Sequence, residues 1–283
     1  MEDSLPRFTR RVENYVKYRP GYPQAIIDLL QQECHLTTNA VIADVGSGTG
    51  KLTELFLKNG YQVFGIEPDA DMRTAAEQFL QRYPRFTSIV ATAEATTLAD
   101  HSIDVVTAGQ AFHWFDRERA RREFARILVP NGWALLVSNI QRTAGTPFLA
   151  ALEGFWQTYL TDEGLLGVAT DQDLSILLQQ KHPVYAWRLH PERATQELIA
   201  PFFAPGSFTE RQFENHQVCD FATLKGRVFS AAKAPDEGHP RYTEMLDALA
   251  AIFQAHQVNG AVIIEYDTSV CYGQLVPRSN RDN

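Results

Sequence analysis

Short apolar runs alternate with stretches of helical period through the first half of the chain. Residues 41–45, 61–66, 86–90, 103–108 and 133–137 read as strands, each rich in Val, Ile, Phe or Ala and bounded by Gly, Pro, Asn or Asp. Residues 51–59 read as a helix, with Leu52, Leu55 and Phe56 on one face and Asn59-Gly60 as its stop. Residues 69–82 form the next, opened by Asp69 and Asp71 where carboxylates suit the positive end of a helix. Asp116 caps a third helix running to about residue 128. Strands alternating with helices in this way predict an α/β fold, a doubly wound sheet covered on both faces.

The second half is less regular. Residues 144–160 predict a helix with Phe148, Leu152, Phe155, Trp156 and Tyr159 on its apolar side, and 171–180 a further one. His182-Pro183 and His190-Pro191 break structure beyond it. Residues 208–218 and 261–272 predict strands six and seven, and 221–230 and 240–256 helices. The expected organisation is an N-terminal lid segment and first helix at 1–39 and a nucleotide-binding core at 40–140. A helical insertion at 141–207 would hold a lid or acceptor pocket, and 208–275 would complete the same domain.

The chemistry concentrates at residues 41–50, VIADVGSGTG. A buried strand ends in an acid and three alternate glycines, and glycines so placed let the backbone adopt positive φ or approach a ligand. The dinucleotide pattern G-x-G-x-x-G is not met, because Lys51 stands where the third glycine belongs and Gly50 comes one residue early. No Gly-Lys-Ser/Thr follows, so a Walker loop is absent as well. Asp44 repels a pyrophosphate and suits a cationic ligand. S-adenosyl-L-methionine (SAM) carries an ammonium and a sulfonium and no phosphate, so Asp44, Gly46, Ser47, Gly48 and Gly50 favour it over NAD or ATP. Glu67 ends the second strand, one strand-helix-strand unit later, where a carboxylate can accept from both hydroxyls of a ribose.

With these features the chain resembles the class I SAM-dependent methyltransferases, in the methyltransferase type 11 form. The likeness covers roughly the first half, with residues 43–50 as the family's first motif and Gly65-Ile-Glu67-Pro68 as its acidic second. The turn Val129-Pro-Asn-Gly-Trp133 resembles the L-x-P-G-G turn before strand five, with Asn131 in place of a glycine. Gln110-Ala-Phe-His-Trp-Phe115 and residues 15–23 narrow the resemblance to the small-molecule branch that includes trans-aconitate methyltransferases. It implies a Rossmann-like, seven-stranded, mainly parallel sheet with strand seven antiparallel to its neighbours. It also implies that Ala93-Glu94 lies beside the adenine and that the N-terminal segment closes over the cofactor. Arg19 and Tyr15 would then meet SAM.

Methyl transfer from a sulfonium is an in-line displacement, so alignment and desolvation dominate. His113 is the candidate base beyond the fourth strand, with a loop-orienting role as the alternative. Gln110 could bond the adenosine or the acceptor, Met72 could pack on the adenine, and Trp114 could wall donor or acceptor. In the insertion, Arg142, Trp156, Tyr185, Trp187 and Arg188 could line a pocket; Arg142 or Arg188 would suit an acidic acceptor, and the tryptophans an aromatic one.

Composition agrees with a soluble enzyme. The net charge is −8, and no block of Lys and Arg suggests a phosphate-tracking surface. Arg117, Arg119, Arg121 and Arg122 are interrupted by acids and suit an exposed helix face, so nucleic acid is disfavoured as a partner. Cys34, Cys219 and Cys271 lack metal spacing and read as reduced thiols of a cytoplasmic protein. No apolar leader or membrane-length apolar run occurs. The expected function is SAM-dependent methylation of a small molecule, at oxygen. The alternatives are an RNA or protein methyltransferase, or a SAM-binding regulator without catalysis.

Overall fold

The computed structural model describes residues 14–159, 195–231, 234, 235 and 237–275. The predicted helix at 171–180, the breaks at 182–183 and 190–191, and Tyr185, Trp187 and Arg188 lie outside these residues. The strands are β1 (Val41–Val45), β2 (Gln62–Ile66), β3 (Phe86–Ile89), β4 (Ile103–Gly109), β5 (Leu128–Gln141), β6 (Thr209–Cys219) and β7 (Val262–Gly273). The helices are α1 (Ala25–Glu33), α2 (Lys51–Lys58), α3 (Ala70–Leu80), α4 (Arg117–Ile127), α5 (Pro147–Tyr159), α6 (Phe221–Phe229) and α7 (Tyr242–His256).

Seven strands form one sheet in the order β3-β2-β1-β4-β5-β7-β6. The pairs β1/β2, β1/β4, β2/β3 and β4/β5 are all parallel. Strand order reverses between β1 and β4, and ligands of such sheets bind beyond the carboxyl ends at this reversal. This is the Rossmann-like, class I methyltransferase architecture.

Alternation along the strands builds two cores. Ile42, Val105 and Leu135 face Ile26, Leu52 and Phe56 on one side of the sheet. Their chain neighbours Ala43, Val106 and Ala134 face Ala120, Phe124 and Ile127 of α4 on the other. The helix caps follow the acids. Asp69 Oδ1 accepts from the amides of Asp71 and Met72, and Asp116 Oδ1 from that of Arg119.

Strand β5 is longer than the sequence pattern predicts. It starts at Leu128, and the 130–132 turn is an irregularity inside it, between the pairs Ile103↔Leu128 and Val105↔Trp133. Asn131 there has φ +65°, the left-handed conformation that its short amide side chain tolerates.

The chain divides into two compact units. One comprises Gly21–Asn139, Ala169–Phe213 and Thr268–Asn283; the other comprises Met1–Pro20, Ile140–Val168 and Glu214–Asp267. These limits do not coincide with the expected segments. Helix α5 packs Phe148, Leu152 and Trp156 against Leu224, Met245 and Leu249 in the second unit, whereas Phe202 and Phe203 join the first unit's core. Strand β7 records the change. Its side chains alternate between buried and less buried from Val262 to Asp267 and are all buried from Thr268 onward. Among the described residues no helix is long and apolar enough to cross a membrane.

Candidate functional site

The glycine turn leaves β1 at the strand-order reversal. The amides of Gly46 and Ser47 both donate to the carbonyl of Ile66 at the end of β2, at 2.8 and 3.1 Å. Gly46, Gly48 and Gly50 all have positive φ, at +66°, +54° and +84°. The three serve different ends. A Cβ at Gly46 would lie 2.5 Å from Ala111 Cβ, and one at Gly50 would lie 2.6 Å from Leu80 Cδ1. A Cβ at Gly48 would meet nothing within 4 Å. Protein packing therefore requires the outer two glycines, while the middle one faces open space.

Asp44 is 1% exposed. Its Oδ2 accepts a 2.5 Å hydrogen bond from Thr53 Oγ1 of α2, and its Oδ1 has no partner. Burial pushes the carboxyl up to about 7, opposed by the Thr53 bonds and reinforced by the nearby Glu67. Thr107, which faces Asp44 in the β1/β4 register, and Thr49 of the turn also have unpartnered buried hydroxyls. Three of the five buried side-chain atoms left unpartnered among the described residues thus belong to this turn and to the adjoining strands β1 and β4. Buried polar groups are normally satisfied, so such a concentration fits a site that a polar, cationic ligand completes.

Glu67 has a role that its position in the sequence does not reveal. Its Oε2 accepts from the Gly48 amide at 2.8 Å and its Oε1 from the Asp69 amide at 3.0 Å. The side chain ties the glycine turn to the start of α3. A carboxylate offers about four lone-pair sites, so capacity for a diol is retained. Replacing Glu67 by Ala removes both bonds. It should lower stability by on the order of 2 kcal/mol and Tm by roughly 4–8 °C. An unchanged Tm in a thermal melt would show that the turn does not depend on this carboxylate.

The remaining predicted positions divide between the units. Pro68 and Met72 follow β2, and their carbonyl and amide serve the start of α3. Ala93 is buried, and Glu94 Oε1 accepts from the Asp116 amide at the start of α4. Gln110 has φ +56° and donates from Nε2 to the Asn139 carbonyl at 2.7 Å. Asn139 in turn donates to the Gly21 carbonyl and accepts from Thr268 Oγ1. Sequence reasoning gave no sign of this hub, which joins segments far apart in the chain, or of Thr53, whose bond to Asp44 depends on how α2 packs on β1.

His113 and Trp114 lie in the single 3-10 turn Phe112–Trp114 after β4. Ala108, Gln110, Phe112, His113, Val137 and Ser138 line a small pocket there. Burial holds the His113 imidazole down at about 4. Trp114 is 82% exposed and tilts against His113 at 4.9 Å.

Tyr15, Arg19, Arg142 and Trp156 belong to the other unit. Arg19 stacks over the Tyr15 ring at 4.8 Å and donates from Nε to Ser230 Oγ. Arg142 is ion-paired to Asp267, Glu265 and Glu214, with its closest contact at 2.7 Å, so its guanidinium is already neutralised by protein carboxylates. Trp156 is 9% exposed and sits within that unit's apolar core. In the predicted basic cluster, Arg121 is not a free surface cation. It donates to the carbonyls of Phe202 and Leu275.

Residues 43–136 match the family model of a methyltransferase domain. This part of the chain carries the sequence signature of a methyltransferase domain. An uncharacterized methyltransferase of Schizosaccharomyces pombe is 32% identical over 135 residues, covering 47% of this chain and 53% of the relative. One from Mycobacterium bovis is 36% identical over 132 residues, covering 47% and 51%. The matched region spans about half the length of these curated relatives. The solved structure of a candidate type II methyltransferase from Anaeromyxobacter dehalogenans has a TM-score of 0.59 at 22% identity, covering 92% of this chain and 99% of that one. That likeness is one of fold. The cofactor of such a domain is SAM, and the orphaned Asp44 oxygen and open Gly48 face fit it.

Proposed function

We propose that the protein is a cytosolic SAM-dependent methyltransferase acting on an oxygen atom of a small molecule. The observation that carries the reading is the buried Asp44 carboxylate, with one oxygen unpartnered beside a glycine that faces open space. Asp44 would hold the ammonium of SAM, Glu67 its ribose hydroxyls, and the Gly46–Gly50 turn would let the backbone approach the ligand. Pro68, Met72, Ala93 and Glu94 would flank the adenine, and Gln110 would bound the methyl-donor side. The bound cofactor supplies an electrophilic methyl group on a sulfonium. His113 then shapes and dries the pocket and can accept a hydrogen bond, and Trp114 offers an aromatic face to the acceptor. A base whose conjugate acid lies at about 4 is weakly suited to remove a hydroxyl proton, which favours an acceptor oxygen that is already anionic. The cytosolic assignment is supported by three cysteines that are all buried free thiols.

A screen with methyl-labelled SAM against hydroxy and carboxylic acids tests the acceptor class. Label in a small organic product, released as methanol by mild base, is the expected result. Label confined to RNA or protein would overturn it. The pH dependence separates Asp44 from His113. The Asp44 anion is needed to bind an ammonium, so kcat/KM for SAM should rise as pH passes through about 7. The same limb should persist in His113→Gln, because the imidazole is already neutral across that range. A limb that vanishes in His113→Gln would make that histidine the titrating base.

A further inference from the structure

The second unit holds a largely buried cation with no counter-ion among the described residues. Arg227, in the last turn of α6, is 8% exposed. Its Nε donates to Tyr266 Oη at 3.4 Å, and its guanidinium carbon lies 5.8 Å from the Trp156 ring. No carboxylate among the described residues pairs with it, and its terminal nitrogens, which are not fully buried, make no hydrogen bond to those residues. The Tyr266 hydroxyl donates its own hydrogen bond to Gln217 Oε1. Cys219 supplies no charge either, since burial pushes its thiol up to about 12 despite the nearby Arg227. A guanidinium keeps its charge throughout the physiological range, and a buried charge is ordinarily paired. The stacked indole offsets part of the cost and no more.

A fully buried donor without a partner stands beside it. Trp156 Nε1 is fully buried and has no partner, although indole N–H groups usually find one when buried. Trp156 belongs to the apolar cluster that includes Leu152, Leu224 and Val228, and the guanidinium lies over its ring. We propose that Arg227 and Trp156 form a binding site for a small organic carboxylate with an apolar or aromatic body. The guanidinium fork matches a carboxylate in shape and in its single charge, and the indole N–H adds one donor. A phosphate dianion would need further cations or amides, and no other cation contacts this guanidinium among the described residues. Local order supports a fixed site. Ser230 Oγ donates to the Arg227 carbonyl, and Tyr18 packs where Gly226 has no Cβ. The inference concerns the second unit alone and does not require that methyl transfer occur.

The test is thermal stability and calorimetry of the full chain with benzoate and hexanoate. Benzamide and inorganic phosphate at matched ionic strength serve as controls. The carboxylates should bind saturably and raise Tm, and benzamide and phosphate should not. Arg227→Met should leave ligand-free Tm equal to or above wild type, because it removes an unpaired buried charge. It should also weaken carboxylate binding roughly 30-fold or more. Arg227→Lys keeps the charge without the fork and should bind with intermediate affinity. Three results would overturn the proposal: no carboxylate binding by wild type, equal binding by Arg227→Met, or a response to phosphate alone.

Discussion

Asp44→Asn should make the ligand-free protein more stable at pH 8 while weakening SAM binding on the order of 100-fold. The two effects have one cause. Folding raises this carboxyl from 3.8 to about 7, because burial disfavours the anion. Between those values the unfolded chain has released the proton and the folded chain still holds it. Stability therefore falls as pH rises from about 4 to 7 and is level above. The cost at pH 8 is roughly 4 kcal/mol, which an uncharged isostere avoids. The asparagine oxygen can still accept from Thr53. What it cannot do is offer an anion to an ammonium, and removing one member of a buried charge pair typically costs about 3–5 kcal/mol. Chemical denaturation at pH 5 and pH 8, paired with calorimetry, reads both quantities. A variant less stable than wild type at pH 8, with unaltered SAM affinity, would show that Asp44 is a structural acid.

Gly46→Ala and Gly48→Ala should part company, although the two glycines are two residues apart and both have positive φ. At Gly46 a methyl group meets Ala111 Cβ at 2.5 Å, and neither side can yield without moving backbone. Left-handed strain and overpacking together should cost roughly 2–5 kcal/mol, seen as a much lowered Tm. At Gly48 only the strain applies, on the order of 1 kcal/mol, because nothing lies within 4 Å. That substitution should leave the fold nearly intact and reduce SAM affinity at least about tenfold, by filling the ligand's space. Normal SAM binding by a folded Gly48→Ala protein would place the cofactor elsewhere.

Much of the first unit is legible in the sequence because its signals are local. The strand at 41–45, the glycines and the capping acids Asp69 and Asp116 each act within a few residues, and the helices end within about two residues of their expected limits. What escapes is non-local. Thr53 reaches Asp44 through the packing of α2 on β1, and Glu67 reaches Gly48 across two strand ends. Asn139 joins residues from both ends of the chain. Arg142 resembles an open anion-binding residue until β7 brings Glu265 and Asp267 beside it, two positions apart and hence on one face of the strand. Trp156 follows the helical period of α5 faithfully, and that same period places it in a core. Arg227 carries no sequence signal, because only the fold reveals that no acid among the described residues pairs with it.

Calorimetric titration of the wild-type chain with SAM and with S-adenosylhomocysteine at pH 8 tests the central claim most directly. Both should bind saturably at one site, with SAM affinity falling as pH is lowered through about 7 as Asp44 takes up a proton. Absence of binding by either compound at millimolar concentration would contradict it.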